Sequence, residues 1–250
     1  MRKLFTTLFI ASTVFVQAQA QQKIDFKLNP EKGKVIPYEM TLKTDIEGAQ
    51  SLIMDMKMNM NMTAVDISDN SIKYETKYTK VTADVNAGII NMAYDSSKEP
   101  ANQMEEMMAS QLKPLLENAL TLTMDKKGKV TQIDFPNVSE QAFDKSSMQN
   151  ITVSFPEHPI AIGESWESNV ELAALNAKGN TKNTLAEKTA EGYKINIEGT
   201  YTDESGNSLG NVKGYYILDP KTFSTKFSSV NTVIEVQGNK VSSTAEFKLK

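Results

Sequence analysis

Apolar and polar residues alternate with a period of two along most of this chain. Such alternation is typical of antiparallel strands that place one face on a core. In the first part of the chain it predicts strands near residues 24–28, 38–46, 50–68, 72–78 and 88–94. In the last third it predicts strands at residues 166–172, 183–188, 193–202, 211–218, 221–236 and 241–249. Turn-type residues rich in Gly, Asn and Asp separate these segments.

The pattern changes to helical spacing over residues 99–119. The apolar side chains that share one helical face there are Met104, Met107, Met108, Leu112, Leu115, Leu116 and Ala119. Proline is expected to break a helix in its interior, so Pro114 predicts two short helical pieces. A second, shorter helix is predicted near residues 139–149. Between the two helices, residues 120–124 and 129–135 flank Asp125-Lys126-Lys127-Gly128, which predicts a hairpin.

These elements predict a mainly β fold with a helical insert. We expect one large curved antiparallel sheet or half-barrel, covered by one or two helices. The chain contains no low-complexity linker, so residues 21–250 are interpreted as a single β-rich domain. Two stacked β-domains that meet near residues 156–163 are the alternative.

The first twenty residues have the pattern of a secretory signal peptide. Arg2 and Lys3 precede an apolar stretch at residues 4–16, and Ala18-Gln19-Ala20 forms an A-x-A cleavage site. The apolar stretch is shorter than the roughly 20 residues that a stable transmembrane helix needs. We therefore expect cleavage after Ala20, no lasting transmembrane anchor, and a periplasmic or secreted location.

Charge and cysteine content exclude several classes of function. Without Arg2 and Lys3 the net charge changes from −4 to about −6. This acidic balance argues against nucleic-acid binding, which needs a clustered basic surface. The chain has no cysteine. Disulfides, thiol nucleophiles, cysteine lipidation and cysteine-ligated metals are therefore excluded, and we expect no cofactor.

Five methionines alternate with polar residues between positions 54 and 62. On a strand, Met54, Met56, Met58, Met60 and Met62 would all point to one face, over about 26 Å. Methionine is not a favoured strand residue, but its flexible thioether side chain forms surfaces that adapt to a ligand. Met104, Met107 and Met108 on the predicted helix could cover the same face.

Three interpretations of these eight methionines remain open. They could fill an irregular core beneath the helix, which is the plainest interpretation. They could instead line a pliable cavity for a lipid or another hydrophobic ligand, and all eight are then ligand-binding candidates. The third interpretation is a Cu(I) site, since thioethers select soft metals. No histidine lies nearby in the sequence to complete such a site, so we predict no metal site.

No catalytic signature is found in the sequence. The single histidine, His158, lies between prolines in a predicted surface loop, and the chain has no Gly-x-Ser-x-Gly elbow. Glu105, Glu106 and Glu164 could form an acid/base pair only in a cleft that the sequence does not show. The segment 203–207 resembles a calcium loop, but Gly214 replaces the acidic ligand that such a loop requires. We therefore expect a protein that is not an enzyme.

Three short motifs carry a family resemblance. They are residues 155–166, which end in Gly-Glu-Ser-Trp, residues 214–222, which contain Asp-x-x-Thr, and Tyr94-Asp95-Ser96. In this order after a signal peptide, they resemble an uncharacterised family of exported Bacteroidetes proteins known only as a domain of unknown function. The resemblance implies no activity. It gives Gly163 and Trp166 structural roles, in a turn and at a buried sheet end.

The predicted architecture is also similar to the periplasmic lipoprotein-carrier fold of LolA, LolB and LppX-like proteins. That similarity implies an open half-barrel whose apolar concave face, covered by helices, holds acyl chains. We therefore expect an exported envelope protein that binds a lipid or other hydrophobic small molecule. A structural or interaction module with an envelope protein as partner is the alternative, and a hydrolase is a distant third.

Overall fold

The computed structural model describes residues 22–48, 51–88, 90–136, 153–172, 177–236 and 238–250. These residues form twelve strands and one α-helix. The elements in chain order are β1 (Val35–Glu47), β2 (Leu52–Ile67), β3 (Ser71–Ala87), β4 (Ile90–Asp95), α1 (Gln103–Glu117), β5 (Leu120–Asp125), β6 (Val130–Asp134), β7 (Ser165–Leu172), β8 (Ala177–Lys188), β9 (Tyr193–Thr202), β10 (Ser208–Leu218), β11 (Thr225–Val236) and β12 (Asn239–Leu249).

All twelve strands belong to one antiparallel sheet. Their order is β6-β5-β3-β2-β1-β12-β11-β10-β9-β8-β7, and β4 also pairs with β3. Strands β5 and β4 share one edge of β3, because β5 pairs with residues 71–76 and β4 pairs with residues 82–87. Within the described residues β6 and β7 end the sheet without pairing with each other, so the sheet stays open. The predicted large antiparallel sheet is confirmed.

The strand register continues a single row of side chains across most of the sheet. We call the face that carries the hydrophobic core the inner face. From β8 to β3, one inner row consists of Asn183, Ile197, Gly214, Val230, Ala245, Leu42, Met56 and Ala83. We call it the central row. Seven of its eight members are apolar or glycine, and Asn183 is the exception.

The two ends of the sheet share one hydrophobic core, which shows how strongly the sheet curves. Buried residues of β3 and β5, such as Ile72 and Leu122, belong to the same cluster as Leu185 of β8 and Ile195 of β9. Residues of strands that lie so far apart in the sheet order can share a core only if the sheet bends around it. Burial of apolar surface on the inner face therefore stabilises the curvature.

The N-terminal segment is not the strand that its alternation predicts. Ile24 forms one isolated bridge with Ile160, and the following residues bond to separate loops. The Leu28 N–H donates to the Lys126 carbonyl at 2.8 Å, and the Asn29 N–H donates to the Thr222 carbonyl at 2.9 Å. Alternation arises here because Phe26 and Leu28 point into the core while the backbone crosses from one end of the sheet to the other. It therefore reflects burial without a strand partner.

The predicted break at Pro114 is also wrong, because α1 is one helix of 15 residues. Pro114 lies in its last turn, so its missing N–H costs a single hydrogen bond, to the Ser110 carbonyl, and the helix ends soon afterwards. At the other end Asn102 caps the helix: its Oδ1 accepts from the Glu105 N–H at 3.0 Å. The Glu105 carboxylate accepts from the Ala101 N–H in return, at 2.9 Å. The second predicted helix, at residues 139–149, lies outside the described residues.

The predicted turns agree with the structure. Strands β5 and β6 form the predicted hairpin, and Gly128 in its turn has a φ of +82°. A Cβ atom there would lie 2.9 Å from the Val153 carbonyl oxygen, so the turn also needs a glycine because the backbone at Val153 passes close to it. Strand β11 begins at Thr225, four residues later than predicted, because Asp219 accepts hydrogen bonds from the Lys221 and Thr222 N–H groups in a turn.

Candidate functional site

The five methionines of β2 lie on the inner face, as predicted from their alternation. Their register partners on β1 are inner-face residues, with Met60 opposite Tyr38 and Met56 opposite Leu42. Met60 is buried, at 4% exposure, in a cluster with Tyr38 and Tyr78, whereas Met54, Met56, Met58 and Met62 are half-buried. One end of the methionine row is therefore part of the core, and the other end lies on a more open part of the inner face.

The helix α1 covers only one end of this row. Leu115 and Leu116 pack against the cluster of Tyr38, Met60 and Tyr78. Met104 and Met107, near the start of the helix, are exposed at 43% and 58%, and Met108 is half-buried. The structure thus does not enclose all eight methionines in one cavity. Met62 lines a small apolar cavity of about 40 Å³ next to Tyr38 and Phe223.

A much larger cavity lies on the inner face at the other half of the sheet. Its volume is about 780 Å³, which is in the usual range of about 300–1,000 Å³ for small-molecule sites. The wall from the sheet consists of inner-face residues of β7 to β10, and residues 153–158 and the start of β6 form the opposite wall. The main lining side chains from the sheet are Trp166, Ser168, Thr181, Asn183, Ile197, Tyr201, Val212 and Tyr216.

Trp166 holds the two walls of this large cavity together. Its indole Nε1–H donates to the Ser154 carbonyl at 2.7 Å, and its side chain is buried. Strand β7 thereby fixes the segment that includes Val153 and Phe155, both of which are buried in the main core. The structural role predicted for Trp166 is compatible with this contact, but the same residue also lines the cavity.

A short polar cluster lies deep in the cavity wall, on the adjacent strands β7 and β8. The Asn183 Nδ2 donates to the Ser168 Oγ at 3.0 Å, and the Thr181 Oγ1 donates to the Ser168 carbonyl at 3.1 Å. Asn183 and Thr181 are almost fully buried, at 1% and 2% exposure. Among the residues that the structure describes, the Asn183 Oδ1 has no hydrogen-bond partner.

Two tyrosines, Tyr201 and Tyr216, line the cavity wall. Burial raises the pKa of Tyr216 to about 12, with a smaller contribution from nearby Tyr201. Burial also raises the pKa of Tyr201, and its hydrogen bond with Thr232 partly opposes that rise. Both hydroxyl groups therefore remain protonated and uncharged at neutral pH, and the deep part of the cavity carries no charge from them.

Ionisable side chains lie at the mouth of the cavity. Lys129, Glu157, His158 and Glu167 line it, and all four are exposed. The exposure of His158 agrees with its predicted place in a surface loop. The arrangement is an uncharged interior with a charged rim, which favours a ligand that has an apolar body.

Two of the acidic residues proposed from the sequence, Glu105 and Glu164, form hydrogen bonds within local structure. Glu105 belongs to the helix cap, and the Glu164 Oε2 accepts from the Ala161 N–H at 2.9 Å within a turn. Asp203 accepts from the Asn207 N–H at 2.8 Å, which makes that segment the predicted β9–β10 turn. In the described part of the chain, no group of three or more acidic or histidine residues could hold a metal ion.

The deepest lining residues of the cavity were not found by sequence reasoning. Strand β8 contains many polar residues and was predicted only from residue 183 onward. Its buried positions are every second residue from Ala177 to Leu185, and Thr181 and Asn183 are among them. A polar residue at an inward position of a strand was the signal in the sequence. How deeply such a residue is buried depends on the curvature of the sheet, which the local sequence pattern does not encode.

Comparison with known proteins gives a family model that matches part of the chain and a solved structure with a similar fold. Residues 136–222 match the model of a family of unknown function, DUF6263. No curated protein gives a significant match. Among the described residues, no helix is both long and apolar enough to span a bilayer.

Solved structures similar to this chain include lipovitellin, in a study of its lipid–protein interactions. The TM-score is 0.57 at 11% sequence identity, over 88% of this chain and 25% of the lipovitellin chain. This chain therefore spans about a quarter of that protein. Two others are a LolA superfamily protein from Nitrosomonas europaea and a putative outer membrane lipoprotein-sorting protein domain from Vibrio parahaemolyticus. The first has a TM-score of 0.28 at 11% identity, over 89% of this chain and 88% of that chain. The second has a TM-score of 0.26 at 6% identity, over 86% of this chain and 85% of that chain.

The family match contains two of the three motifs that carried the sequence resemblance, residues 155–166 and 214–222. It also contains β7, β8, β9 and β10, the strands that form the sheet wall of the large cavity. The predicted resemblance to a family of unknown function is confirmed for residues 136–222, and the chain shares its overall fold with a part of lipovitellin.

Proposed function

We propose that this protein binds a hydrophobic small molecule of lipid-like character in the large cavity between β7–β10 and residues 153–158. The observation that carries the proposal is the cavity itself, about 780 Å³ in volume, with an uncharged interior and an ionisable rim. The proposal assigns a binding or carrier role and no chemical reaction. The export predicted from residues 1–20 would place this role in the bacterial envelope.

The composition of the cavity wall supports a mostly apolar ligand. Trp166, Tyr201 and Tyr216 are aromatic lining residues, and Ile197 and Val212 are aliphatic ones. Burial of apolar ligand surface contributes roughly 25 cal/mol per Å², so contact with several such side chains is enough for measurable affinity. A charged group would lose its hydration in the interior without an opposite charge nearby, and we expect any such group to remain at the rim.

The fold supports the same type of ligand. Lipovitellin, whose structure describes lipid–protein interactions in that protein, shares the architecture of this chain at a TM-score of 0.57. A strongly curved open sheet offers one apolar concave face, and a hydrophobic ligand is one of the few partners that can cover such a face.

The methionine row is the second part of the proposed binding surface. The central row leads from Asn183 in the cavity to Met56 on β2 and crosses the small residues Gly214 and Ala245. Six strand spacings separate β8 from β2, or about 28 Å along the sheet. A long ligand anchored in the cavity could therefore extend toward Met54 and Met56, whose adaptable side chains suit a variable apolar tail.

The decisive experiment is native mass spectrometry of protein purified without detergent. We expect an additional mass that organic solvent removes and that is recovered as lipid or another hydrophobic compound. A bare polypeptide mass that stays unchanged after incubation with lipid extracts would contradict the proposal. It would favour the alternative of a structural or interaction module.

A substitution that fills the cavity locates the ligand. Val212 is buried, lies on the inner face of β10 and lines the cavity, so Val212→Phe should reduce the retained ligand. Val35→Phe is the matched control because it adds the same volume at a position of β1 that is 57% exposed. Equal ligand retention by both folded variants would exclude the cavity as the binding site.

A further inference from the structure

Strand β7 ends the sheet, and one of its two edges has no strand partner among the described residues. We call this side of β7 the free edge. All eight residues of β7 pair with β8 in a continuous register on the other side. Every second residue of such a strand directs its N–H and C=O groups away from the partner, so about four residues direct theirs to the free edge. Folded proteins usually protect such an edge with a proline, a lysine or a β-bulge, and β7 contains none of these.

The large cavity extends along the free edge. Four consecutive residues of β7 line it, from Trp166 to Asn169. Successive residues of a strand point to opposite faces, so a cavity that touches both sets reaches around the edge of the strand. The segment that includes Val153 and Phe155 lines the opposite side. Glu167 and Asn169 are exposed, so molecules in solution can reach this part of β7.

A row of alternating charges ends at the same edge, on the outer face of the sheet. Lys213 of β10 lies opposite Glu198 of β9, and Glu198 lies opposite Lys182 of β8. Lys182 in turn lies opposite Glu167 of β7. All four side chains are exposed. Opposite charges on directly facing residues stabilise a strand pair and like charges destabilise it. A further strand beside β7 would therefore be favoured by a cation opposite Glu167.

The two strands that end the sheet contain no such cation. The sequence of β6 is Val-Thr-Gln-Ile-Asp, and β7 contains two glutamates and no basic residue. If β6 or β7 of a second copy paired with the free edge, Glu167 would therefore have no opposite charge. Charge complementarity instead favours a segment of another protein that carries a lysine or an arginine.

From these observations we infer that the free edge of β7 binds an extended segment of another protein as an additional antiparallel strand. The segment carries a lysine or an arginine opposite Glu167, and its alternate residues are apolar because they face the cavity beside Trp166. Main-chain hydrogen bonds supply affinity in this mode of binding, and the side chains supply selectivity. The inference goes beyond the proposed function and does not rest on it, since it requires the edge of the sheet and no ligand in the cavity.

Two peptides that differ in one residue test this inference. The peptide acetyl-SVTVKVTS-amide alternates valines with polar residues and contains one lysine, and acetyl-SVTVEVTS-amide has a glutamate in its place. Each is titrated into the purified protein in a calorimeter. We expect the Kd of the lysine peptide to be about 2- to 30-fold lower than that of the glutamate peptide. The lysine peptide should also slow hydrogen exchange of the backbone amides in β7, because new main-chain hydrogen bonds protect them.

Three outcomes would overturn the inference. The first is that neither peptide binds at concentrations up to roughly 1 mM. The second is that both bind equally, or that binding leaves hydrogen exchange in β7 unchanged; the valines would then enter the cavity as a hydrophobic ligand does. The third is a concentration-dependent dimer that protects the β7 amides without any peptide, which would assign the free edge to a second copy of this chain.

A charge reversal at the edge identifies the selecting residue. Glu167→Lys should reverse the preference, so that the glutamate peptide binds more tightly than the lysine peptide. Glu204→Lys is the matched control, because Glu204 is also exposed, lies in the turn between β9 and β10 and does not line the cavity. The control should keep the preference for the lysine peptide. An unchanged preference in Glu167→Lys would contradict the role of Glu167, and if that variant does not fold, the peptide pair on the unmodified protein still decides.

Discussion

Substitution of Met60 and of Met56 by alanine tests whether the methionine row is divided into a core part and an open part. The two residues lie four positions apart on the same face of β2, so the substitutions remove identical atoms. Met60 is 4% exposed between Tyr38 and Tyr78, with Leu115 and Leu116 of the helix above it, whereas Met56 is half-buried. Their contributions to stability should therefore differ clearly.

The magnitudes follow from burial and packing. Removing a fully buried methionine costs the transfer free energy of the side chain and leaves a cavity, in total about 2–5 kcal/mol. The small cluster around Met60 places Met60→Ala toward the lower end of this range, at about 2–3 kcal/mol. Met56 loses only part of its transfer free energy and leaves no closed cavity, so Met56→Ala should cost about 1 kcal/mol or less.

Equilibrium unfolding in urea measures both values. Trp166 is the only tryptophan of the chain and is buried, so its fluorescence reports unfolding, and far-UV circular dichroism tests whether both halves of the sheet unfold together. Equal losses of stability for the two variants, or a loss below about 1 kcal/mol for Met60→Ala, would refute the assignment of Met60 to the core.

Three further predictions concern the helix cap and pH. Asn102→Ala should lower the free energy of unfolding by about 0.5–2 kcal/mol, as measured by urea unfolding, because it removes the side-chain cap of α1; Ser110→Ala, in the middle of the same helix, is the control. Hydrogen bonds from Ser97 and Lys80 hold the pKa of Asp95 well below its usual value, so its contribution to stability is present above about pH 4 and is lost as the pH falls below that. The stability difference between Asp95→Asn and the unmodified protein should therefore shrink between pH 6 and pH 2, and a constant difference would contradict this. Because burial raises the pKa of Tyr216 to about 12, ultraviolet titration should show this tyrosine ionising above pH 10, with a loss of stability between pH 10 and pH 12. Burial raises the pKa of Tyr38 and Tyr78 to about 12 as well, so Tyr216→Phe should reduce the amplitude of that titration step by one tyrosine.

The local features of the fold follow directly from the sequence. The alternation of apolar and polar residues is sufficient to predict most of the strands, because a period of two places alternate side chains on opposite faces regardless of what they contact. Turn residues such as Gly128 and Gly206 can also be predicted from the local sequence, since both have a positive φ that favours glycine. The orientation of the five β2 methionines toward a single face is equally a local property.

Partner choice between distant segments was decided by tertiary structure. The residues around Phe26 have the alternation of a strand, yet they cross the core as an extended segment that bonds to separate loops. Pro114 has the expected effect on one hydrogen bond, but its position in the last turn makes that loss tolerable. In both cases the residue type is informative, while the outcome depends on contacts that are remote in sequence.

The candidate site shows the same division most clearly. The sequence by itself determined that the chain is β-rich, free of cysteine and provided with a methionine row on one face. Only the tertiary structure decided that the large cavity lies at the opposite half of the sheet, around Asn183, and that Met60 is core. The physical reason is that burial depends on the curvature of the whole sheet, which is set by a core that brings residues of β3 and β5 together with residues of β8 and β9 more than 60 positions away in the sequence.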